Sequence, residues 1–133
     1  MIGLDTNVLV RYFAQDDESQ SRIAGHVVDA LTDDEPGFVS TVVLCELFWV
    51  LASAYRIPPQ EILVIIERML GTRELHIQQS ELVHRAVRAS RGSSIEFVDA
   101  LIGELGISAG CTETVTFDKR AAELPTMRLL TPS

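Results

Sequence analysis

Short apolar runs suited to strands alternate along this chain with longer segments of helical period, and that alternation limits the fold more than any other feature. Residues 1–4 read as a strand and Asn7–Ala14 as a helix. Ser19–Leu31 sets Ile23, Val27 and Leu31 at i, i+4 and i+8, the spacing that lines one helical face. The turn Asp33-Asp34-Glu35-Pro36-Gly37 leads to a strand at Phe38–Ser40 and then a helix, capped by Ser40 or Thr41, that runs to about Tyr55. Its stripe is Val43, Leu47, Val50, Leu51 and Ala54, but nearly every other position is apolar too, so burial on most sides is expected. Pro58-Pro59 opens a helix with Ile62, Ile65, Ile66, Met69 and Leu70 on its face and Gly71 at its stop. A strand at Leu75–Ile77 and helices at Ser80–Ser90 and from about Ile95 to Ser108 come next. Strands at Thr114–Phe117 and Met127–Leu130, joined by a helical turn around Lys119–Glu123 that Pro125 ends, complete the series. Strands separated by helices favour a parallel sheet with helices on both faces. The expectation is one α/β domain over residues 1–133, in three layers, with a central and mainly parallel sheet flanked by helices.

A chain of 133 residues buries enough surface to stand without staples. Cys45 and Cys111 are far apart and form no pairing pattern, so both read as reduced core or near-core thiols of a cytoplasmic protein. No basic segment precedes an apolar stretch at the N-terminus, and Glu46 interrupts the longest apolar run, so neither a signal peptide nor a membrane span is expected. The net charge is −8, from 19 acids against 11 bases. Such a protein gains no long-range attraction to a polyanion, and any phosphate contact must come from a local Arg patch or a bound divalent metal. The same acidity suits a basic protein partner.

Four acids stand out by position: Asp5, Glu46, Asp99 and Asp118. Asp5 and Asp118 leave the ends of short apolar strands, and in parallel sheets ligands gather outside the carboxyl ends of the strands. Glu46 lies within Val42–Leu51 and Asp99 within Phe97–Ile102, both apolar settings. An ionised carboxylate taken from water costs several kcal/mol unless it is paired, hydrogen-bonded or metal-bound. Glu96 and Asp99 are neighbours on one helix and repel unless a cation or water intervenes. Period two along the late strand sets Thr116 on the side of Asp118. Each residue also has a plainer reading: an Asp between strand and helix is often an N-cap, Glu96 suits a solvated first turn, and Glu46 suits a snorkelling surface position. As a set they are more specific, and with no Cys or His among them they suit Mg²⁺ or Mn²⁺.

Leu4-Asp5-Thr6-Asn7-Val8-Leu9, Ser40-x-x-x-x-x-Glu46, Glu96-Phe97-x-Asp99-Ala100 and Thr116-Phe117-Asp118 closely resemble, in order and spacing, the PIN-domain ribonucleases. Within that family the chain looks most like the compact stand-alone VapC-type toxins of bacterial toxin–antitoxin pairs. The resemblance covers essentially the whole chain. It implies a PIN fold, a Mg²⁺ or Mn²⁺ site, endonucleolytic cleavage of RNA and a small antitoxin partner. By position the family's acids fall on Asp5, Glu46, Asp99 and Asp118, with Asn7 and Thr116 as polar residues that orient them. Many members carry Asp where this chain has Glu96, which makes Glu96 a further candidate ligand.

Acids of this kind hold divalent metal whose charge acidifies water for in-line attack on a phosphodiester, so no side-chain nucleophile is needed. Arg85, Arg88 and Arg91 fall at i, i+3 and i+6 and are candidates for RNA phosphate contact, against the plainer reading of a solvated face. His26, His76 and His84 are scattered and have no catalytic companion. A homodimer bound by its small partner is expected, with apolar surface from the Val43–Ala54 and Ile62–Leu70 helices. Two other classes share the acidic pocket. A phosphoaspartate receiver calls for a Lys after a late strand, and here Lys119 directly follows Asp118. A haloacid-dehalogenase-like phosphatase calls for a second Asp two residues after the first, and Asn7 holds that position.

Overall fold

Asp5 marks the point where the first strand, β1 (Ile2–Gly3), gives way to the first helix, α1 (Thr6–Ala14). The computed structural model describes residues 1–132 and divides into two units, Met1–Ser80 and Glu81–Ser133. In the first unit α2 (Glu18–Asp29), β2 (Gly37–Val39), α3 (Thr41–Ser53), α4 (Pro59–Leu70) and β3 (Leu75–Ile77) follow α1. Its three strands form one parallel sheet in the order β1-β2-β3, with Gly3 opposite Phe38 and Phe38 opposite His76. Three helix starts are set by local chemistry. The Asp17 carboxylate accepts from the Gln20 N–H at 2.9 Å to cap α2, and the Ser40 hydroxyl accepts from the Val43 N–H at 3.1 Å to cap α3. Pro59 takes the first position of α4, where its missing N–H costs no hydrogen bond.

The second unit carries α5 (Ser80–Ser90), α6 (Phe97–Ser108), β4 (Thr114–Thr116), a 3-10 turn at Ala121–Glu123 and β5 (Met127–Leu129). β4 and β5 pair in parallel, Thr116 opposite Leu129. Gly103 lets α6 come close to the chain just before β5: a Cβ built there would collide with the side chain of Thr126. Arg85 reaches Glu104 at 3.8 Å, linking α5 and α6.

The α/β class and the parallel pairing of every strand agree with the sequence reading. Among the described residues no helix is long and apolar enough to cross a membrane. Three expectations need correction. The buried face of α2 is Ser21 and Ala24, whereas Ile23 is exposed and Val27 only half-buried. α1 packs on α2, and small side chains on that face admit a close approach that a large one would prevent. Helix α3 buries only Leu44, Leu47 and Leu51 fully, and it leaves Val42 and Trp49 largely exposed. An apolar composition therefore does not translate into burial on most sides. Cys111 is exposed rather than near the core, while Cys45 is half-buried and its thiol is pushed up by burial.

Candidate functional site

In the first unit the backbone of Asp5 is extended and its carbonyl accepts from the Val8 and Leu9 N–H groups at 3.1 and 3.4 Å, opening α1. Its side chain makes no capping bond. The carboxylate thus sits at the exit of β1 without being spent on the helix, and the N-cap reading applies only to its backbone. The next residue, Thr6, is 7% exposed, on the same face as Leu9 and Val10. Its hydroxyl donates to Glu46 Oε1 at 3.0 Å.

That bond explains how Glu46 is set. α3 packs against α1, and Glu46 is exposed on the side of α3 that also carries Val42 and Trp49. The cost of burying a charge therefore does not arise. What distinguishes the residue is its partner: Thr6 holds the carboxylate beside the first turn of α1, whose unpaired N–H groups favour a negative charge. Asn7, expected to orient a carboxylate, is exposed, and among the described residues its side chain makes no hydrogen bond. The bond to a carboxylate is made by its neighbour Thr6 instead. A legible signal existed, because a hydroxyl at i with Leu9 and Val10 at i+3 and i+4 falls on a buried face and must find a partner.

In the second unit Glu96 occupies the N-cap position of α6 without a side-chain capping bond, and Asp99 stands in the first turn. Asp99 is half-buried. Burial pushes its carboxyl above the usual carboxylate range, and the nearby charges of Glu96 and then Asp118 push it further the same way. The direction is informative, since the start of a helix by itself favours an ionised acid. Here burial and like-charge repulsion prevail.

Asp118 is exposed beyond β4, and its Oδ1 accepts from the Arg120 and Ala121 N–H groups at 2.8 and 3.2 Å. One oxygen is thus committed to the turn, as the capping alternative holds, while the other is available. Thr116 is placed differently from the expectation. Its hydroxyl accepts from the backbone N–H of Asp118 at 3.0 Å and so fixes the loop rather than bonding a carboxylate. Arg85 is engaged with Glu104, and Arg88 and Arg91 are exposed. All three histidines are exposed.

Within neither unit do three or more His, Cys, Asp or Glu side chains gather, among the described residues, into a group able to hold a metal ion. The chemistry of the donors nonetheless suits one. Every candidate is a carboxylate, the donor of hard divalent cations, and a cation near Asp99 would relieve the repulsion that Glu96 and Asp118 impose.

Two comparisons bear on this arrangement. The family profile described as PIN domain matches residues 2–126. A VapC ribonuclease from Aquifex aeolicus (strain VF5) is 23% identical over 121 residues, covering 91% of this chain and 90% of that protein.

Proposed function

The chain belongs to the PIN-domain family, and from that premise we propose that it is a Mg²⁺- or Mn²⁺-dependent endoribonuclease, the toxin of a toxin–antitoxin pair. Residues 1–133 act as a single nuclease domain in this reading. The observation that carries it is the state of Asp99: a half-buried carboxylate beside Glu96 and Asp118 is an unfavourable placement unless a cation compensates it. Similarity to a VapC ribonuclease over nearly the full length of both chains supports the choice of RNA as substrate. The phosphoaspartate receiver and phosphatase alternatives have no comparable support.

The carboxylates proposed as metal ligands, directly or through water, are Asp5 and Glu46 in the first unit and Asp99 and Asp118 in the second, with Glu96 as a further candidate. Divalent metal held by carboxylates of this kind would supply the charge that acidifies an attacking water and steadies the departing oxygen. The chain's own part is positioning. Thr6 fixes one rotamer of Glu46 through the 3.0 Å bond, leaving the second carboxylate oxygen for a ligand. Thr116 and the turn at Arg120 and Ala121 hold Asp118 in place. Asp99, with its raised affinity for a proton, must lose that proton to bind a cation, so activity should rise as pH rises through its range.

A small antitoxin and a homodimer belong to the same proposal. A basic segment of the antitoxin would set a cation among the carboxylates of a protein with net charge −8. Exposed Val42 and Trp49 on α3 and Val64 on α4 offer apolar surface for association. Mapping new RNA 5′ ends after induction in cells tests the activity: recurrent cleavage positions in wild type that vanish with Asp99→Asn are expected, and indistinguishable end maps would refute it. Mass measurement of the natively purified protein tests the assembly, which should weigh more than two chains and contain a second, shorter polypeptide.

A further inference from the structure

The most exposed large apolar side chain among the described residues is Phe117, 80% exposed, and it lies between two residues of the candidate site, Thr116 and Asp118. Fully burying a Phe stabilises a fold by roughly 1.5–3 kcal/mol, so one left in water on a mobile loop would simply turn inward. This loop does not have that freedom. The Asp118 N–H donates to Thr116 Oγ1 at 3.0 Å, bridging across Phe117, and Asp118 Oδ1 accepts from Arg120 and Ala121 on the far side. Phe117 is thus held outward by bonds that its neighbours make.

The residues just downstream give the exposed ring a chemical context. Lys119, the chain's single lysine, and Arg120 are both exposed, and among the described residues neither enters an ion pair. Arg11, Arg22, Arg73, Arg85 and Arg128 each pair with a carboxylate, whereas Arg56, Arg68 and Arg88 share the freedom of Lys119 and Arg120 but stand far in sequence from Phe117. An outward aromatic ring followed within three residues by two uncommitted cations matches single-stranded nucleic acid, which offers base faces for stacking and phosphates for charge. We propose that Phe117 stacks on a base flanking the scissile phosphate of single-stranded RNA while Lys119 and Arg120 hold adjacent phosphates. The inference rests on the ribonuclease reading and assigns it a substrate-positioning loop. An apolar protein partner would also cover Phe117, but it would have no use for the two cations.

The test uses full-length protein and two unstructured RNA oligonucleotides, identical except for one abasic nucleotide beside the cleaved bond. KM and kcat are measured with Mg²⁺, and Kd by fluorescence anisotropy in an Asp99→Asn background that leaves the RNA whole. Phe117→Ala should raise KM and Kd by about tenfold or more with kcat little changed, and Phe117→Trp should restore both. The abasic oligonucleotide should bind wild type about as poorly as the intact one binds Phe117→Ala, with no further loss when the two changes are combined. Joint Lys119→Ala and Arg120→Ala replacement should weaken binding of both oligonucleotides equally and flatten its salt dependence. If wild type cleaves RNA and Phe117→Ala cleaves it equally well, or if the abasic penalty is the same in both proteins, the stacking role is overturned and the ribonuclease reading stands. Loss of self-association alone in Phe117→Ala would overturn it in favour of a protein contact. Wild type that neither binds nor cleaves either oligonucleotide would refute the ribonuclease reading itself.

Discussion

The Thr6 hydroxyl and the Glu46 carboxylate, 40 residues apart in sequence, meet at 3.0 Å and join the start of α1 to the middle of α3. Thr6 is buried and Glu46 exposed, so a donor fixed by packing orients an acid at the surface. Replacing Thr6 by Val keeps the shape and removes the donor. RNA cleavage by Thr6→Val should fall by about 10- to 100-fold, with the loss mainly in apparent metal affinity, and Thr6→Ser should recover most of it. Glu46→Gln should abolish cleavage while the thermal midpoint stays near that of wild type. Full activity in Thr6→Val would show that the bond serves the fold alone.

Asp99 predicts a trade between stability and activity. Its carboxyl is held above the ordinary range, first by burial and then by Glu96 and Asp118. A carboxyl raised in the folded state costs stability once ionised, and that cost disappears when pH falls below the unfolded value of about 3.9. Asp99→Asn should therefore raise Tm at neutral pH, by an amount that shrinks on acidification and vanishes below about pH 4, while cleavage is lost. Mg²⁺ should raise the Tm of wild type and do so less for the variant. Thermal melts from about pH 3.5 to 8, with Mg²⁺ and with EDTA, read both effects.

The fold was legible where local chemistry and periodicity agreed. Ser40 as a cap, Pro59 at the start of α4 and the strand–helix alternation all follow from side-chain types that work within a few residues. Ile23 and Trp49 show the limit. Both have the composition of a core, yet α2 turns Ser21 and Ala24 inward and α3 turns Trp49 out, because the face a helix buries is chosen by what packs on it. Among the proposed site residues, Asp5, Glu46, Asp99 and Asp118 are visible as acids at strand exits or in apolar segments. The bond between Thr6 and Glu46 is not, since the packing of α1 on α3 is written in no local spacing. Thr116 does bond to Asp118, beside which its register sets it, but through the backbone N–H rather than the carboxylate.

Gly103 sets the approach of α6 to Thr126, whose buried hydroxyl has no hydrogen-bond partner among the described residues. Gly103→Ala adds a methyl into that contact and should destabilise the protein by about 1–3 kcal/mol, read as a lower urea midpoint with an unchanged slope. Combining it with Thr126→Ala, which clears the space and removes the stranded hydroxyl, should recover most of the loss.

Tyr55, Asp16 and Arg11 form a closed triangle that ties the region after α3 to the ends of α1 and α2: Tyr55 donates to Asp16 Oδ2 at 2.7 Å, and Arg11 Nη1 donates to Asp16 Oδ1 at 3.1 Å and to the Tyr55 hydroxyl at 3.2 Å. The Tyr55 hydrogen bond, with help from Arg11, holds the Asp16 carboxyl below its usual value despite some desolvation. A lowered carboxyl adds stability above its unfolded value and loses it as pH falls through the folded one. Tyr55→Phe should accordingly lower Tm slightly at about pH 7, and the gap from wild type should narrow in acid. Melting curves at about pH 7 and about pH 3 decide it.

Carboxylates and divalent metal acting together on RNA are the core of the proposed activity. Purified wild type and its Asp99→Asn variant, each incubated with one end-labelled single-stranded RNA in Mg²⁺, Mn²⁺ or EDTA, test it most directly. Internal cleavage by wild type with either metal, none in EDTA, and none by the folded variant under any condition is the predicted result. Cleavage that persists in EDTA, or that Asp99→Asn carries out as fast as wild type, would contradict it.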